Sequence, residues 1–159
     1  MLHLDLAVPT DWRRIDRVRE AVGHCVAAVF ADRDLCDALA MVSAELLENA
    51  FKYGSPDQTE VRMSVRRDGD RLVIAVTNAV AAGTAHARLL AERVAWVNEF
   101  GDPLRAYEAA LARAYTDESD ASGLGLARIL YEGGCALDCD TSTAGRVTVS
   151  AFCTLNRQQ

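Results

Sequence analysis

The sequence has no long apolar run and no excess of basic residues, and its number of cysteines is odd. No apolar stretch reaches the roughly 20 residues of a membrane-spanning helix, and the first residues lack a signal-peptide pattern. Half of the 159 residues are hydrophobic, a level typical of folded proteins. These features predict one folded domain over residues 1–159, located in the cytoplasm and not bound to a membrane.

The charge balance is acidic, with a formal net charge of −6. The one concentration of arginines lies between residues 13 and 19, and acidic residues interrupt it. Nucleic acids and anionic membranes attract basic surfaces. The composition therefore argues against both as main partners.

The cysteines are odd in number and their spacings match no zinc-binding pattern. They are Cys25, Cys36, Cys135, Cys139 and Cys153. Cys135 and Cys139 on one strand would lie ~13 Å apart at about 3.3 Å per residue, too far for a disulfide. The sequence therefore predicts buried free thiols in a reducing compartment.

One stretch, residues 44–54, combines an apolar face with a polar one. At the ~100° per residue of a helix, an apolar stripe forms that must be buried. It comprises Leu35, Leu39, Val42, Leu46 and Tyr53. Glu45, Asn49 and Lys52 form a second stripe along its edge. Gly54 is expected to end the helix.

The polar stripe has two interpretations. A carboxylate can act as a general base, an amide oxygen can bind Mg²⁺, and a lysine can hold phosphate. Together these groups suit a nucleotide site. The alternative is an ordinary solvated helix face on which Glu and Lys form a surface pair.

The remaining patterns predict a two-layer α+β sandwich with helices on one face of a mixed, mostly antiparallel sheet. Strands are predicted near residues 2–8, 59–65, 71–78, 135–140 and 145–152, with a hairpin turn at 67–70. Helices are predicted over about 11–30, from a cap at Asp32 or Asp34 to Tyr53, over 84–100 and 103–115, and from a glycine turn at Gly123.

Two segments, in the same order along the chain, resemble motifs of one superfamily. Residues 45–53 resemble the N box of the GHKL ATPases and kinases (HATPase domains of the Bergerat fold). Residues 122–126, Ser-Gly-Leu-Gly-Leu, resemble the glycine-rich box at the end of that superfamily's ATP lid. An Asn at position 78, a helix pair in place of the lid and the Gly-Leu-Gly-Leu turn resemble one subgroup, the partner-switching regulators related to anti-sigma-factor serine/threonine kinases, including the SiaB-like kinases.

The resemblance implies a site for ATP and Mg²⁺. Glu45 would activate the acceptor hydroxyl as the catalytic base, and Asn49 would bind Mg²⁺. The implied nucleotide-binding residues are Asn49, Lys52, Asn78, Gly123, Leu124, Gly125 and Leu126. Asn78 departs from the superfamily pattern, because an Asp normally stands there to recognise the adenine amino group. An Asn carbonyl can accept the same hydrogen bond.

The implied function is a Mg-ATP-dependent protein serine/threonine kinase in a bacterial partner-switching pathway. Its partner would be a small STAS-like antagonist or a regulatory protein of the sigma-factor type, and it could form a homodimer. The alternative is a non-catalytic interaction module with weak or lost nucleotide binding. A helical hairpin at about 84–116 replaces the ATP lid, either as a wall of the core or as a docking surface.

Overall fold

The computed structural model describes residues 2–81, 84–116 and 123–155. Ser122, the first residue of the predicted glycine-rich box, falls outside these ranges. The described strands are β1 (His3–Pro9), β2 (Glu60–Asp68), β3 (Arg71–Ala79), β4 (Cys135–Asp140) and β5 (Arg146–Thr154). The described helices are α1 (Ile15–Ala27), α2 (Arg33–Tyr53), α3 (His86–Glu99), α4 (Pro103–Thr116) and α5 (Leu124–Tyr131). A short 3₁₀ helix, Trp12–Arg14, precedes α1.

The five strands form one sheet in the order β1-β2-β3-β5-β4. All four pairings between neighbouring strands are antiparallel, so the described strands include no parallel pair. The helices lie on one face, and the buried residues of both layers form one continuous core. The predicted two-layer α+β sandwich is confirmed.

Helix α2 is the central helix of the helical layer. Its first turn is capped by Asp32, whose carboxylate accepts a hydrogen bond from the Leu35 N–H at 3.1 Å. The middle of the predicted apolar stripe, Leu39, Val42 and Leu46, is buried. Burial of each such leucine contributes about 1.5–3 kcal/mol. The helix ends at Gly54 as predicted, after packing against α1, α5, β2 and β3.

No helix in the described ranges is long and apolar enough to cross a bilayer. Helix α2 is the longest at 21 residues, but charged side chains occur along its whole length.

Strand β3 occupies the middle of the sheet, as its apolar composition predicts. It is joined to β2 by the predicted tight turn, where Gly69 adopts a φ of 62°. Every second side chain of β3 faces the helices. These side chains are Leu72, Ile74 and Val76, and Asn78 continues the row. The strand therefore carries Asn78 to the edge of the core.

Helices α3 and α4 occupy the positions predicted for the hairpin, but their main contacts are with other elements. Helix α3 packs on β4 and α5, and α4 packs on α5. In α4, the large side chains of Leu104 and Tyr115 are exposed, whereas Ala106 and Ala110 are fully buried. Small side chains permit the close approach of α4 to α5. Both helices contribute to the core, as the wall interpretation predicts.

The prediction of buried free thiols is wrong for two of the five cysteines. Cys135 of β4 lies directly opposite Cys153 of β5, with their Cα atoms 4.3 Å apart, and a disulfide joins them. Spacing along one strand excludes only a Cys135–Cys139 pair, whereas the Cys135–Cys153 disulfide depends on the register between two strands. Cys25, Cys36 and Cys139 are free.

Candidate functional site

Glu45 and Asn49 lie one turn apart on α2, near its C-terminal end. Glu45 is 9% exposed, and Asn49 is half-buried beside it. The Asn49 amide Nδ2 donates a hydrogen bond to the backbone carbonyl of Glu45 at 2.9 Å. The spacing of four residues therefore places both side chains on one face, as predicted.

The glycine turn meets this face at Gly125. A Cβ atom at position 125 would collide with Oε2 of Glu45 and lie 3.9 Å from Nδ2 of Asn49. The start of α5 can approach α2 this closely because Gly125 has no side chain. The structure thus brings together Glu45, Asn49 and Gly125, which are 80 residues apart in sequence at their extremes.

Gly123 caps α5 in a left-handed conformation, with a φ of 75°. A Cβ atom there would lie 3.5 Å from the ring of Trp96 on α3. The guanidinium carbon of Arg113 on α4 lies 4.5 Å from the centroid of the same ring. The glycine turn therefore packs against Trp96 of α3, and Arg113 of α4 contacts the same ring.

The other predicted residues of the turn and of α2 have different surroundings. Leu126 is buried in the core, which leaves only its backbone for a ligand, and Leu124 is partly buried. Lys52 is exposed on the last turn of α2, and its ammonium lies 5.6 Å from the centroid of the Tyr53 ring.

Asn78 is 2% exposed near the end of β3, opposite Val147 of β5. Its Nδ2 is 3.4 Å from the carbonyl oxygen of Ala79. The backbone N–H of Ala79 donates to Oε1 of Gln58 at 2.8 Å, and Nε2 of Gln58 reaches the Ala50 carbonyl at 3.4 Å. Gln58 thereby ties the end of β3 to the last turns of α2, so that Asn78 lies at the same end of the sandwich as Asn49.

Arg128 is a residue of this site that the sequence interpretation missed. Its Nη1 lies 2.5 Å from Oε1 of Glu45, and its Nη2 lies 3.2 Å from Oε2 of Glu132. Arg128 follows Gly125 by three residues, and this helical spacing placed it beside the glycine turn. That spacing was the available signal.

The electrostatics of Glu45 combine two opposing effects. Burial raises the pKa of the Glu45 carboxyl, and the Arg128 guanidinium opposes this increase. The carboxylates of Glu48 and Glu132 raise the pKa further. Burial has the larger effect, so Glu45 binds a proton more readily than an ordinary glutamate does. A raised pKa suits a general base.

The donor set fits Mg²⁺ only in company with a phosphate ligand. Within the described ranges, no cluster of three or more His, Cys, Asp or Glu residues could hold a metal ion. The hydrogen bond of Asn49 is made by its nitrogen and does not involve its oxygen, the atom that would bind Mg²⁺. Mg²⁺ is commonly bound by one or two protein oxygens together with substrate phosphates and water. A single Asn side chain beside a glycine turn is consistent with that mode.

A separate groove of about 700 Å³ lies at the opposite end of α2. Phe30, Leu35 and Arg67 line it, together with the β2–β3 turn. It contains none of the predicted site residues that the structure describes. The candidate site therefore comprises Glu45, Asn49 and the glycine turn.

Comparison with solved structures finds the same fold in a chain from "The crystal structure of SiaB-SiaC complex from Pseudomonas aeruginosa". The TM-score is 0.69 and the sequence identity 18%, over 96% of this chain and 89% of that chain. No protein-family model and no curated protein matches the sequence. At this identity, the likeness shows a shared fold.

Proposed function

We propose that this protein is an ATP-binding regulator of a bacterial partner-switching pathway and acts as a Mg-ATP-dependent protein serine/threonine kinase. Its substrate is a small STAS-like antagonist protein. One observation carries the proposal: Glu45 and Asn49, one turn apart on α2, both face Gly125 at the start of α5. A carboxylate, an amide and a glycine turn at a helix start are the parts that phosphoryl transfer needs in one place.

Phosphoryl transfer depends mainly on positioning and on neutralising phosphate charge. The backbone N–H groups at the start of α5 bind phosphate oxygens, with Lys52 as a further cation at the rim. Asn49 holds Mg²⁺, which neutralises part of the phosphate charge when it is bound. Glu45 accepts the proton of the acceptor Ser or Thr hydroxyl, and its raised pKa favours that role.

Asn78 provides the contact with adenine. It ends the inward row of the central strand and is tied through Gln58 to the same end of α2 as Asn49. Its carboxamide oxygen is able to accept a hydrogen bond from the adenine amino group. An amide gives a weaker, uncharged contact than the carboxylate of the GHKL pattern, so we expect modest ATP affinity.

A protein partner is supported by the comparison. The matching chain belongs to a structure that contains two proteins, SiaB and SiaC, in complex. This chain and the matching chain share a fold over nearly their full lengths. This supports assigning a protein, rather than a small molecule, as the target of the reaction.

A second candidate function is a non-catalytic interaction module. Two observations favour it. The Glu45 carboxylate is already paired with the Arg128 guanidinium, and the amide nitrogen of Asn78 is directed to the neighbouring Ala79 carbonyl. In that case partner binding would be the same with and without nucleotide.

The chemical role of Glu45 separates the two functions. The Glu45→Gln variant keeps the side-chain shape but cannot accept a proton. Transfer of label from γ-labelled ATP to a STAS-domain protein from the same genome should fall by about 10²-fold or more, without a loss of ATP affinity. An unchanged rate of transfer excludes Glu45 as the base. Absence of transfer by the parent protein, together with nucleotide-independent partner binding, supports the module.

A further inference from the structure

The Glu45 carboxylate occupies the position next to the glycine turn where a phosphate would be expected. Its Oε2 abuts Gly125, and its Oε1 lies 2.5 Å from Nη1 of Arg128, one turn further along α5. An internal anion thus lies against the Cα of a glycine in the first turn of α5 and is paired with an arginine. A helix start and a guanidinium are groups that bind phosphate in proteins.

Arg128 is held from two sides, and it is more accessible than Glu45. Its other terminal nitrogen contacts Glu132, one turn later on α5. The side chain of Arg128 is 37% exposed, whereas that of Glu45 is 12% exposed. The contact with Glu132 can therefore keep the guanidinium at the rim of the site when its contact with Glu45 is broken.

We propose that Arg128 senses the terminal phosphate of a nucleoside triphosphate by exchanging Glu45 for that phosphate. The inference rests on the proposed function and extends it to the discrimination between triphosphate and diphosphate. A guanidinium forms paired hydrogen bonds with phosphate, and a phosphate carries more negative charge than one carboxylate. The exchange releases the Glu45 carboxylate, which is then available to the acceptor hydroxyl. A diphosphate lacks the terminal group and leaves the Glu45–Arg128 pair closed.

The test is calorimetric binding of Mg-ATP and Mg-ADP to three variants of the full chain. Arg128→Gln removes the charge, and Arg128→Lys keeps the charge but loses the paired donors. Arg88→Gln is the matched control, because Arg88 forms an exposed ion pair with Glu92, four residues further along α3. Circular dichroism verifies that each variant is folded, and the lysine variant serves if the glutamine variant does not fold.

The parent should bind Mg-ATP more tightly than Mg-ADP. Arg128→Gln should lose about tenfold to a hundredfold in ATP affinity, the usual effect of one charge-assisted contact, with ADP affinity nearly unchanged. Arg128→Lys should be intermediate, and Arg88→Gln should match the parent.

Two results overturn the inference in different ways. Equal weakening of both nucleotides, or an unchanged ratio of their affinities, leaves the ATP site in place but removes the sensing role of Arg128. Failure of the parent to bind Mg-ATP removes the proposed function and the inference with it.

Discussion

Replacing Gly125 with alanine tests the packing of the glycine turn against α2. The new Cβ would collide with Oε2 of Glu45 and lie 3.4 Å from the carboxyl carbon. A carboxylate at the end of a flexible side chain could ordinarily move aside. Here the ion pair with Arg128 restrains it, so the substitution must either break that pair or displace the start of α5.

Two opposing free-energy terms determine how much Gly125→Ala changes the stability of the fold. Overpacking of a tight contact costs about 1–3 kcal/mol. Alanine is better than glycine in a helix by about 1 kcal/mol. Gly125→Ala should therefore lower the free energy of unfolding by up to about 2 kcal/mol in the parent. In a Glu45→Ala background the collision is absent, and the same substitution should be neutral or stabilising by up to about 1 kcal/mol.

The assay is urea denaturation followed by circular dichroism, arranged as a double-mutant cycle. Gly23→Ala is the control, because its Cβ would lie 3.6 Å from that of Ala40, an ordinary contact. It should stabilise α1 by roughly 0.5–1 kcal/mol. Additivity of the Gly125 and Glu45 substitutions within about 0.5 kcal/mol would refute the proposed contact.

Three further predictions concern other parts of the fold. Burial raises the pKa of the Cys139 thiol from 9.0 to about 11, so its alkylation near neutral pH should be on the order of a hundredfold slower in the folded than in the denatured chain. As the pH rises, the thiol loses its proton in the unfolded chain before it does so in the folded chain, so the free energy of unfolding should decline between about pH 9 and pH 11. Equal alkylation rates in the folded and denatured chains would contradict the raised pKa. Gln58→Ala removes the acceptor of the Ala79 N–H and should lower the free energy of unfolding, measured by denaturant, by about 1 kcal/mol. An unchanged free energy of unfolding would show that this hydrogen bond does not stabilise the fold. Protein purified without reductant and then denatured should titrate as three thiols, and as five after reduction; five without reductant would exclude the Cys135–Cys153 disulfide.

Much of the fold follows from short-range patterns. The helical spacing of Leu39, Val42 and Leu46 predicts α2, and the Asp-Gly turn with its flanking alternation predicts the β2–β3 hairpin. The four-residue spacing of Glu45 and Asn49 predicts that they share a face. These predictions are correct because the geometry of a helix or a strand alone determines which residues share a face.

The remaining features depend on long-range packing, which the spacing of residues does not determine. Cys135 meets Cys153 because of the register between β4 and β5. Helix α4 buries Ala106 and Ala110 because close approach to α5 favours small side chains over the larger apolar residues nearby. Arg128 meets Glu45 because α5 crosses α2 at Gly125, and the sequence spacing of 83 residues carries no sign of that crossing. The proximity of the glycine turn to α2 was expected only from the resemblance to GHKL proteins.

The central claim is that Asn49 and the glycine turn form a metal-dependent ATP site. Titration calorimetry of Mg-ATP against the parent, Asn49→Ala and Asn98→Ala tests it most directly. Asn98 is the matched control, since its amide also donates to a backbone carbonyl, that of Leu137, but lies on α3. Asn49→Ala should retain the fold and lose at least about tenfold in Mg-ATP affinity, the effect of one ligand contact to a charged group. Asn98→Ala should bind like the parent, and Mg-ATP binding by Asn49→Ala with the parent's affinity would contradict the account.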